Sequence, residues 1–313
     1  MTDIGLTRPI HSDLRWTEDV SMKIQFHIIT VSYNSGDKLI QTLNSIYKQD
    51  YWDYDVIIED SESTDGSIEA LKDILRDNTH IFVAKDKGIY DGMNLALSRI
   101  DEIKGAYGKS EATDDTACEE SAEYVLFLNC GDVLHDKQVL GAVADAIEAD
   151  IKESSTDSNR PHIYYGDQYN LKTESKVSSV RKINEFALYR NVPCHQVCFY
   201  EKSLFTDRAY NTEYKVRADY EHFLYCVYKQ NAEASYIDVV ISDYEGGGYS
   251  ESKENKKISA VEHKKITDMY MGRRANKYKM ILTLTGAGLR TRLAENQRTA
   301  GIYNKIKTMI YRR

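Results

Sequence analysis

Cysteine is scarce in this sequence, and long apolar runs are missing. Five cysteines occur among 313 residues, an odd number with no repeated CxxC spacing, which argues against a disulfide framework or a zinc cluster. No apolar stretch is long enough to cross a bilayer, and no apolar run follows a basic start, so neither a membrane span nor a signal peptide is predicted. We therefore expect reduced thiols in a cytoplasmic protein.

Positive charge is concentrated at the C-terminal end. The net charge is -8, yet residues 251–313 hold 16 of the 41 Lys and Arg and only 5 of the 49 Asp and Glu. Basic and apolar residues are interleaved in this tail, a pattern that predicts amphipathic helices able to lie on anionic lipid. The alternative is a pair of helices packed on the body with a solvated charged face. Nucleic-acid binding is disfavoured, because the acidic body would repel a phosphate backbone.

Three regions follow from the pattern along the chain. Residues 1–23 are polar and lack periodicity, which predicts a flexible leader, and residues 251–313 form the predicted basic, mainly helical tail. Between them, residues 24–250 alternate strand and helix patterns, which predicts one α/β domain with a mostly parallel sheet flanked by helices. Predicted strands lie at 26–31, 56–58, 81–84, 124–128, 163–165 and 236–241, and predicted helices at 39–47, 68–75, 93–100, 139–147 and 220–228. Residues 101–123 are predicted to be an inserted surface loop, and residues 192–200 to be extended.

The residues directly after each predicted strand are candidates for a site, because ligands of open α/β sheets bind beyond the carboxyl ends of the strands. This rule selects four segments. They are Ser32-Tyr33-Asn34, Glu59-Asp60-Ser61, Lys85-Asp86-Lys87-Gly88 and Asn129-Cys130-Gly131-Asp132.

Two aspartates in these segments each have two interpretations. Asp60 could accept hydrogen bonds from a nucleobase or ribose, or could be an Asx-turn or N-cap residue, given the residues 63–66 directly behind it. Asp132, preceded by Gly131, suits a hard oxygen-liganded cation such as Mg²⁺ or Mn²⁺. The alternative is that Asp132 caps a helix that begins near Asp136.

Six motifs occur in a fixed order between residues 24 and 250. Together they resemble the family 2 glycosyltransferases, and the last four resemble a branch of that family found in O-antigen and capsular polysaccharide pathways. The motifs are Thr30–Asn34, Glu59–Gly66, Lys85–Asn94, Phe127–Asp132, Cys194-His195-Gln196 and Arg217–Glu221. The resemblance implies a GT-A fold, in which one nucleotide-binding α/β domain builds the acceptor site with its second half.

The resemblance also implies a role for each matching residue. Asp219 matches the family's catalytic base, and Asp132 matches the last acidic residue of its DxD-like motif, which holds Mn²⁺ or Mg²⁺. His195 and Gln196 are expected to contact the diphosphate or the acceptor, and the alternative for His195 is a buried histidine satisfied by the backbone. The matching donor-binding positions are Tyr33, Asp60, Asp86, Lys87, Gly88, Asn129 and Gly131.

These roles imply an inverting glycosyltransferase. The expected donor is a UDP-sugar, and the expected acceptor is a hydroxyl of a growing surface glycan or lipid-linked oligosaccharide. Asp219 would take the proton of the attacking hydroxyl while a cation at Asp132 stabilises the departing diphosphate. With a lipid-linked acceptor, the basic tail is expected to make peripheral contact with the inner face of the cell membrane.

The sequence departs from the family in two places, and other interpretations remain. Residues 129–132 keep one carboxylate where many relatives have two or three, so donor phosphates would have to complete the metal shell, and the 101–123 insertion is longer than usual. A nucleotidyltransferase is one alternative, although Ser32–Gly36 is not the Gly-rich basic loop expected for it. A sugar-nucleotide-binding protein that has lost catalysis is another. Asp219 could be only the N-cap of the helix at 220–228, Glu221 is the weaker candidate for the base, and residues 246–250 are either a hinge loop or a linker.

Overall fold

The computed structural model describes residues 22–107, 121–153, 160–246 and 252–284. Over these residues the chain forms one mixed nine-stranded sheet with flanking helices. The strands are β1 (Lys23–Ser32), β2 (Tyr54–Asp60), β3 (Thr79–Val83), β4 (Ser121–Phe127), β5 (Val133–Leu134), β6 (His162–Asn170), β7 (Ser175–Val177), β8 (Cys198–Glu201) and β9 (Glu233–Tyr244). The helices are α1 (Asp37–Tyr47), α2 (Ile89–Tyr107), α3 (Val139–Glu153), α4 (Glu185–Arg190), α5 (Ala218–Lys229), α6 (Lys253–Met271) and α7 (Arg273–Leu284).

The sheet has a parallel half and a mixed half. Its strand order is β3-β2-β1-β4-β8-β6-β9-β5, with β7 paired to β6. Strands β3, β2, β1 and β4 run parallel to one another. Strand β8 then runs antiparallel to both β4 and β6, while β9 is parallel to β6. The predicted α/β class is confirmed, and the antiparallel pairs are confined to the second half.

The centre of the sheet is explained by the apolar runs in β1 and β2. Phe26, Ile28 and Ile29 of β1 are fully buried, as are the residues 56–58 of β2. Continuous apolar runs are typical of parallel strands that are covered on both faces. Helix α2 packs against both strands. The loops that follow these strands therefore meet at one edge of the sheet.

Three predicted segments are different in the structure. The helix expected at 68–75 is only a 3-10 turn at Glu69–Leu71, because Leu71 alone of its apolar residues is fully buried. Residues 192–200 are not continuously extended, since a 3-10 turn at His195–Val197 precedes β8. The loop expected at 101–123 is helical through Tyr107, as the buried face of α2 continues to Ile103, and β4 already begins at Ser121. Residues 108–120 lie outside the described residues.

The described part of the predicted tail is helical, as expected. Helices α6 and α7 pack on the body, where α6 contacts α5 and α7 contacts α4. Glu262, Ile266 and Met271 of α6 are buried in this contact. None of the helices in the described ranges is both long and apolar enough to cross a membrane. Residues 1–21 of the predicted leader (1–23), the glycine-rich residues 247–250 and the end of the tail (285–313) lie outside the described residues, and Lys23 already belongs to β1.

Candidate active site

Two adjoining cavities lie at the edge of the sheet where β1 to β4 end. The large cavity has a volume of about 1090 Å³, and the small cavity has a volume of about 240 Å³. Lys38, Ile89, Tyr90, Asn129 and Cys130 line both, so the two cavities share a wall. This is the edge at which the loops after the parallel strands were expected to bring ligand-binding residues together.

Ten of the eleven predicted site residues line one cavity or the other. The large cavity is bordered by Tyr33, Asp86, Lys87 and Gly88, the small cavity by Gly131, Asp132, His195, Gln196 and Asp219, and both by Asn129. The exception is Asp60. The prediction that the acids Asp132 and Asp219 face one common space therefore agrees with the geometry.

The outer wall of the large cavity is built from two loops that are bonded to each other. The Asn34 N–H donates to Ser63 Oγ at 2.8 Å, and the Thr64 N–H donates to Asn34 Oδ1 at 2.9 Å. The Gly36 N–H donates to Asp65 Oδ2 at 2.9 Å. These bonds fix the backbone after β1 against the backbone after β2. Tyr33 projects from this wall with 68% of its surface exposed, where a planar ring is free to meet a ligand.

Asp60 lies beneath this wall rather than in it. Its side chain is fully buried, and its two oxygens accept hydrogen bonds from the Ser63 N–H at 2.7 Å and the Ser63 hydroxyl at 2.6 Å. A carboxylate that accepts from the N–H three residues on makes the local contact of an N-cap-like residue, which belongs to the alternative interpretation of Asp60. The predicted contact between Asp60 and a nucleobase or ribose stays a prediction, since each carboxylate oxygen keeps a second lone pair beside its bond to Ser63.

A tight turn before α2 places Asp86, Lys87 and Gly88 at the cavity. The Gly88 N–H donates to Asp86 Oδ1 at 2.8 Å, and the Lys87 N–H donates to Asp91 Oδ2 at 2.9 Å. Gly88 has a φ of 129°, which disfavours residues with a Cβ. A Cβ at Gly92 would lie only 2.9 Å from Asp86 Oδ2, so Asp86 also packs against the helix. The Lys87 side chain is exposed at the cavity lining.

Asp132 is held at the floor of the small cavity. Its side chain is almost fully buried, and its Oδ2 accepts a hydrogen bond from Gln196 Nε2 at 3.0 Å. Burial raises the pKa of Asp132, and the Gln196 bond and the positive charges of His195 and Lys38 oppose that rise. Helix α3 begins only at Val139, so the alternative that Asp132 caps it is wrong.

Asp219 stands on the opposite side of the small cavity, at the second residue of α5. Its Oδ1 accepts from the Tyr90 hydroxyl at 2.9 Å and from the Tyr220 N–H at 2.8 Å, while its Oδ2 lies 3.2 Å from His195 Nδ1. The side chain remains 24% exposed. Burial pushes the pKa of Asp219 up, but the hydrogen bond and charge of His195, with the Tyr220 and Tyr90 bonds, hold it below its ordinary value. A carboxylate in this setting is charged and fixed in direction.

Two adjacent residues on one 3-10 turn therefore hold the two acids. His195 bonds Asp219 through Nδ1, and Gln196 bonds Asp132. On its other side, His195 Nε2 lies 3.0 Å from Asn129 Nδ2. The His195 ring is thus held between the Asn129 amide and the Asp219 carboxylate. The alternative that His195 is satisfied by the backbone is wrong, whereas its predicted contact with diphosphate or acceptor stays a prediction.

The competing interpretations of the α5 acids are also decided by this geometry. Arg217 occupies the N-cap position of α5, so Asp219 is not the cap. Glu221 is buried, pairs with Arg208 at 2.6 Å and accepts from the Tyr270 hydroxyl. It does not line either cavity. Glu221 is thus a structural acid, and its lower rank as a candidate base is supported.

Three residues at the site were missed by sequence reasoning. Tyr90 bonds Asp219 across 129 positions of the chain, and its position within the Lys85–Asn94 motif was the only signal for it. Lys38 Nζ lies 2.8 Å from Glu245 Oε2, and both side chains border the small cavity. Lys38 sits on the first turn of α1, one turn after the Thr30–Asn34 motif, and Glu245 follows β9.

The small cavity fits a divalent cation only when a ligand supplies further oxygens. Among the residues that the structure describes, no three His, Cys, Asp or Glu side chains converge as a metal-binding group. Asp132 is a single carboxylate, and one of its oxygens is already shared with Gln196. One carboxylate together with substrate phosphates and water is nevertheless a common donor set for Mg²⁺. Asp132 is therefore suited to hold a cation jointly with a diphosphate.

Comparison with protein families and curated proteins points to sugar transfer. Residues 27–102 match the family model described as glycosyl transferase family 2. A PGL/p-HBAD biosynthesis glycosyltransferase of Mycobacterium bovis is 27% identical over 238 residues, which cover 74% of this chain and 82% of that protein. A protein of the same description from Mycobacterium tuberculosis matches equally well.

Solved structures share the fold. S. aureus TarS 1–349 in complex with UDP-GlcNAc aligns with a TM-score of 0.57 at 17% identity, covering 82% of this chain and 70% of that one. The mannosyltransferase PcManGT from Pyrobaculum calidifontis, in complex with GDP-Man and Mn²⁺, aligns with a TM-score of 0.50 at 13% identity, covering 91% of this chain and 86% of that one. At these identities the likeness concerns the fold, which is the GT-A arrangement expected from the motifs.

Proposed function

We propose that this chain, a glycosyltransferase with a GT-A fold and a family 2 domain, transfers a sugar from a UDP-sugar to a glycan hydroxyl with inversion of configuration. One observation carries the proposal. Asp219 and Asp132 line the same small cavity, which shares a wall with a cavity large enough for a nucleotide. Asp219 as the base and Asp132 as the site for the leaving group therefore lie on either side of a space that can hold the anomeric carbon of the donor sugar.

Asp219 acts as the base in this mechanism. The acceptor oxygen forms the new bond to the anomeric carbon, the bond from that carbon to the diphosphate oxygen breaks, and the hydroxyl proton passes to Asp219. Tyr90 and His195 keep the carboxylate charged and aimed at the cavity, so little reorganisation is needed during transfer. Because attack and departure occur on opposite faces of the carbon in one step, the configuration inverts.

The departing diphosphate is negatively charged and needs positive charge near Asp132. Lys38 is the only lysine or arginine that borders the small cavity among the described residues, and it also borders the large one. Its ion pair with Glu245 is largely exposed, so exchanging that partner for a phosphate costs little. A divalent cation held by Asp132 would supply further stabilisation of the leaving charge.

The donor nucleotide and the acceptor are assigned by likeness. TarS was solved with UDP-GlcNAc and PcManGT with GDP-Man, and we choose UDP because TarS aligns with the higher TM-score. Tyr33 on the rim, with Lys87 and Asp86 beside it, is available for the base and ribose. The O-antigen or capsule setting of the acceptor rests on the resemblance of the last four motifs.

A donor screen tests the proposal directly. The full chain is incubated with UDP-, GDP- and dTDP-sugars, with and without Mn²⁺, and the melting temperature is recorded, since a ligand of the native state raises it. The donor that binds is then offered with acceptor oligosaccharides, and the anomeric configuration of the product is read by NMR. We expect a UDP-sugar to bind more tightly with Mn²⁺ and the linkage to be inverted. A retained configuration would refute the mechanism, and nucleotide-sugar binding without hydrolysis or transfer would favour a binding protein.

Peripheral membrane contact through α6 and α7 is proposed as part of this function. Val261, Met269, Met280 and Leu284 are exposed by more than half of their surface, and Lys264, Lys265, Lys277 and Lys279 lie among them on the same helices. Exposed apolar side chains among lysines fit an anionic lipid surface. Such contact would bring the cavities close to a lipid-linked acceptor.

Vesicle co-sedimentation tests this contact with point variants. The Val261→Ser and Met280→Ser double variant should pellet less than wild type with vesicles containing anionic phosphatidylglycerol. Val83→Ser removes an exposed apolar side chain from β3 and is the matched control. Equal pelleting of all three proteins would remove the membrane proposal.

A further inference from the structure

Glu262 of α6 accepts hydrogen bonds from three consecutive backbone amides just before Asp219. Its Oε1 accepts from the Lys215 N–H at 2.7 Å, and its Oε2 accepts from the Val216 and Arg217 N–H groups at 3.1 and 2.9 Å. Glu262 is only 8% exposed. Hydrogen bonds from amides to a charged, sheltered carboxylate are stronger than those between neutral groups. This contact is thus a firm attachment of the tail to the body.

The segment held by Glu262 forms part of both cavities. Val216 borders the small cavity, while Tyr214 and Lys215 border the large one. The carbonyl of Val216 also accepts a hydrogen bond from Tyr90 at 2.9 Å, so the residue is held by its amide on one side and by its carbonyl on the other. The single hydrogen of the Tyr90 hydroxyl is shared between this carbonyl and Asp219 Oδ1, both at 2.9 Å. The backbone of residues 215–217 therefore sets where the base stands.

Further contacts fix α6 in the place from which Glu262 acts. Arg217 Nε donates to Ser259 Oγ at 2.7 Å, one turn before Glu262 on the helix. His263 Nε2 lies 2.7 Å from the Tyr189 carbonyl, and Ile266 is fully buried against the body. Glu262 thus projects from a helix that cannot shift without breaking contacts to the body.

We propose that Glu262 is a positioning residue for sugar transfer, which acts by holding the 215–217 backbone so that Asp219 faces the acceptor hydroxyl. The inference rests on the proposed function of Asp219 as the base. It gives one residue of α6 a role at the site, although Glu262 lies beyond the domain boundary at 250 that the sequence predicts. The C-terminal region then has a role at the site that is independent of any contact with lipid.

The Glu262→Gln variant tests this role. The side chain keeps its shape, but one of the two accepting oxygens becomes an NH₂ group, which cannot accept from the backbone N–H groups of residues 215–217. We expect kcat to fall by about tenfold to a hundredfold, the range in which small displacements of reacting groups act, with donor KM changing much less. Amide hydrogen exchange at residues 215–217 should become faster. Ile266→Val on the same buried face is the control for lost stability, and Glu254→Gln, exposed on the first turn of α6, is the control for lost charge.

The outcomes separate this inference from the function on which it rests. If Glu262→Gln loses far more kcat than Ile266→Val at an equal loss of Tm, and exchange at 215–217 rises, the inference holds. If the two variants lose activity only in proportion to their Tm, or if Glu262→Gln retains the kcat of wild type, Glu262 is no more than a packing residue. A wild-type chain that transfers no sugar from any donor would instead overturn the proposed function itself.

Discussion

The two halves of the sheet present their functional side chains in different ways. In the parallel half, the loops after β1 and β2 are fixed through Asn34, Ser63 and Asp65, and side chains such as Tyr33 project from them into solvent. This is a rigid backbone with free side chains. Such a surface suits a ligand that supplies its own stacking and hydrogen-bonding groups, as a nucleotide does.

In the mixed half and at its border with β4, the functional carboxylates are themselves fixed. Asp219 is bonded by Tyr90 and His195, and Asp132 is bonded by Gln196. Groups that are already oriented can stabilise charge as it develops, without reorganising first. The comparison therefore assigns recognition to the parallel half and chemistry to the mixed half.

The same difference explains what could be predicted from the sequence. The apolar run in β1 and the helical spacing of Leu39 and Leu43 are local signals, so β1 and α1 of the parallel half were predicted closely, whereas the helix expected at 68–75 was not. The bonds of Asp219 to Tyr90 and His195 span 129 and 24 positions, and no periodicity encodes them. The two interpretations of Asp60 could not be separated from the sequence, because a turn contact and a ligand contact both require a carboxylate after the strand.

Asp219→Asn should produce the largest loss of activity. If it did not, the assignment of the chemistry to the mixed half would be wrong. Removing the base is expected to lower kcat by about a thousandfold, within the usual range for acid–base catalysis, while donor affinity stays near that of wild type. Steady-state transfer assays measure both. The variant is also expected to fold, because the amide oxygen can still accept from the Tyr90 hydroxyl.

Glu221→Gln is the matched control for this prediction. Glu221 is two residues away on α5, but its partners are Arg208 and Tyr270, and it borders neither cavity. The variant should lose stability, since it weakens a buried ion pair, while each folded molecule keeps its activity. A Glu221→Gln protein that folds but is inactive would move the chemistry away from Asp219.

Tyr90→Phe removes one hydrogen bond to the proposed base, Asp219, and so tests whether a fixed carboxylate matters for the chemistry. The Tyr90 hydroxyl is among the groups that hold the pKa of Asp219 below its ordinary value against the opposing effect of burial. Without it the pKa of Asp219 rises, so the acid limb of the kcat profile should move to higher pH, with about a tenfold loss of kcat at the optimum. Tyr210→Phe is the control, because the Tyr210 hydroxyl has no hydrogen-bond partner among the described residues. If the acid limb of the kcat profile stayed at the same pH, Tyr90 would not affect the pKa of Asp219.

Lys38→Gln probes the wall that the two cavities share. Lys38 borders both spaces and is assigned to the diphosphate, so the donor KM should rise by about tenfold, the equivalent of one charge-assisted hydrogen bond. The effect should shrink at high salt, where the exposed ammonium group is screened. Lys48→Gln, an exposed lysine just after α1, should leave KM unchanged. Equal KM values for the two variants would remove Lys38 from the donor site.

The smallest expected effect concerns stability rather than activity. It compares a buried histidine in each half of the sheet. His222 of α5 stacks on Phe205, and neither ring nitrogen has a hydrogen-bond partner within the described ranges. Burial, with the charge of Arg208, lowers the pKa of His222 to about 3. In the parallel half, burial also lowers the pKa of His27, but Asp55 opposes the shift.

A histidine with a lowered pKa in the folded state favours folding above its unfolded pKa, and that contribution is lost as the pH falls towards the folded value. Between pH 7.5 and 5.5, His222 should therefore cost about 1 kcal/mol of folding free energy, or about 2–4 °C in Tm. His222→Phe keeps the stacking and should remove this part of the pH dependence, as thermal unfolding at the two pH values would show. His27→Gln should remove less, because Asp55 partly stabilises the charged ring. If the two substitutions reduced the pH dependence of Tm equally, the proposed difference between His222, which is buried without a hydrogen-bond partner in the described part of the chain, and His27, which Asp55 supports, would be wrong.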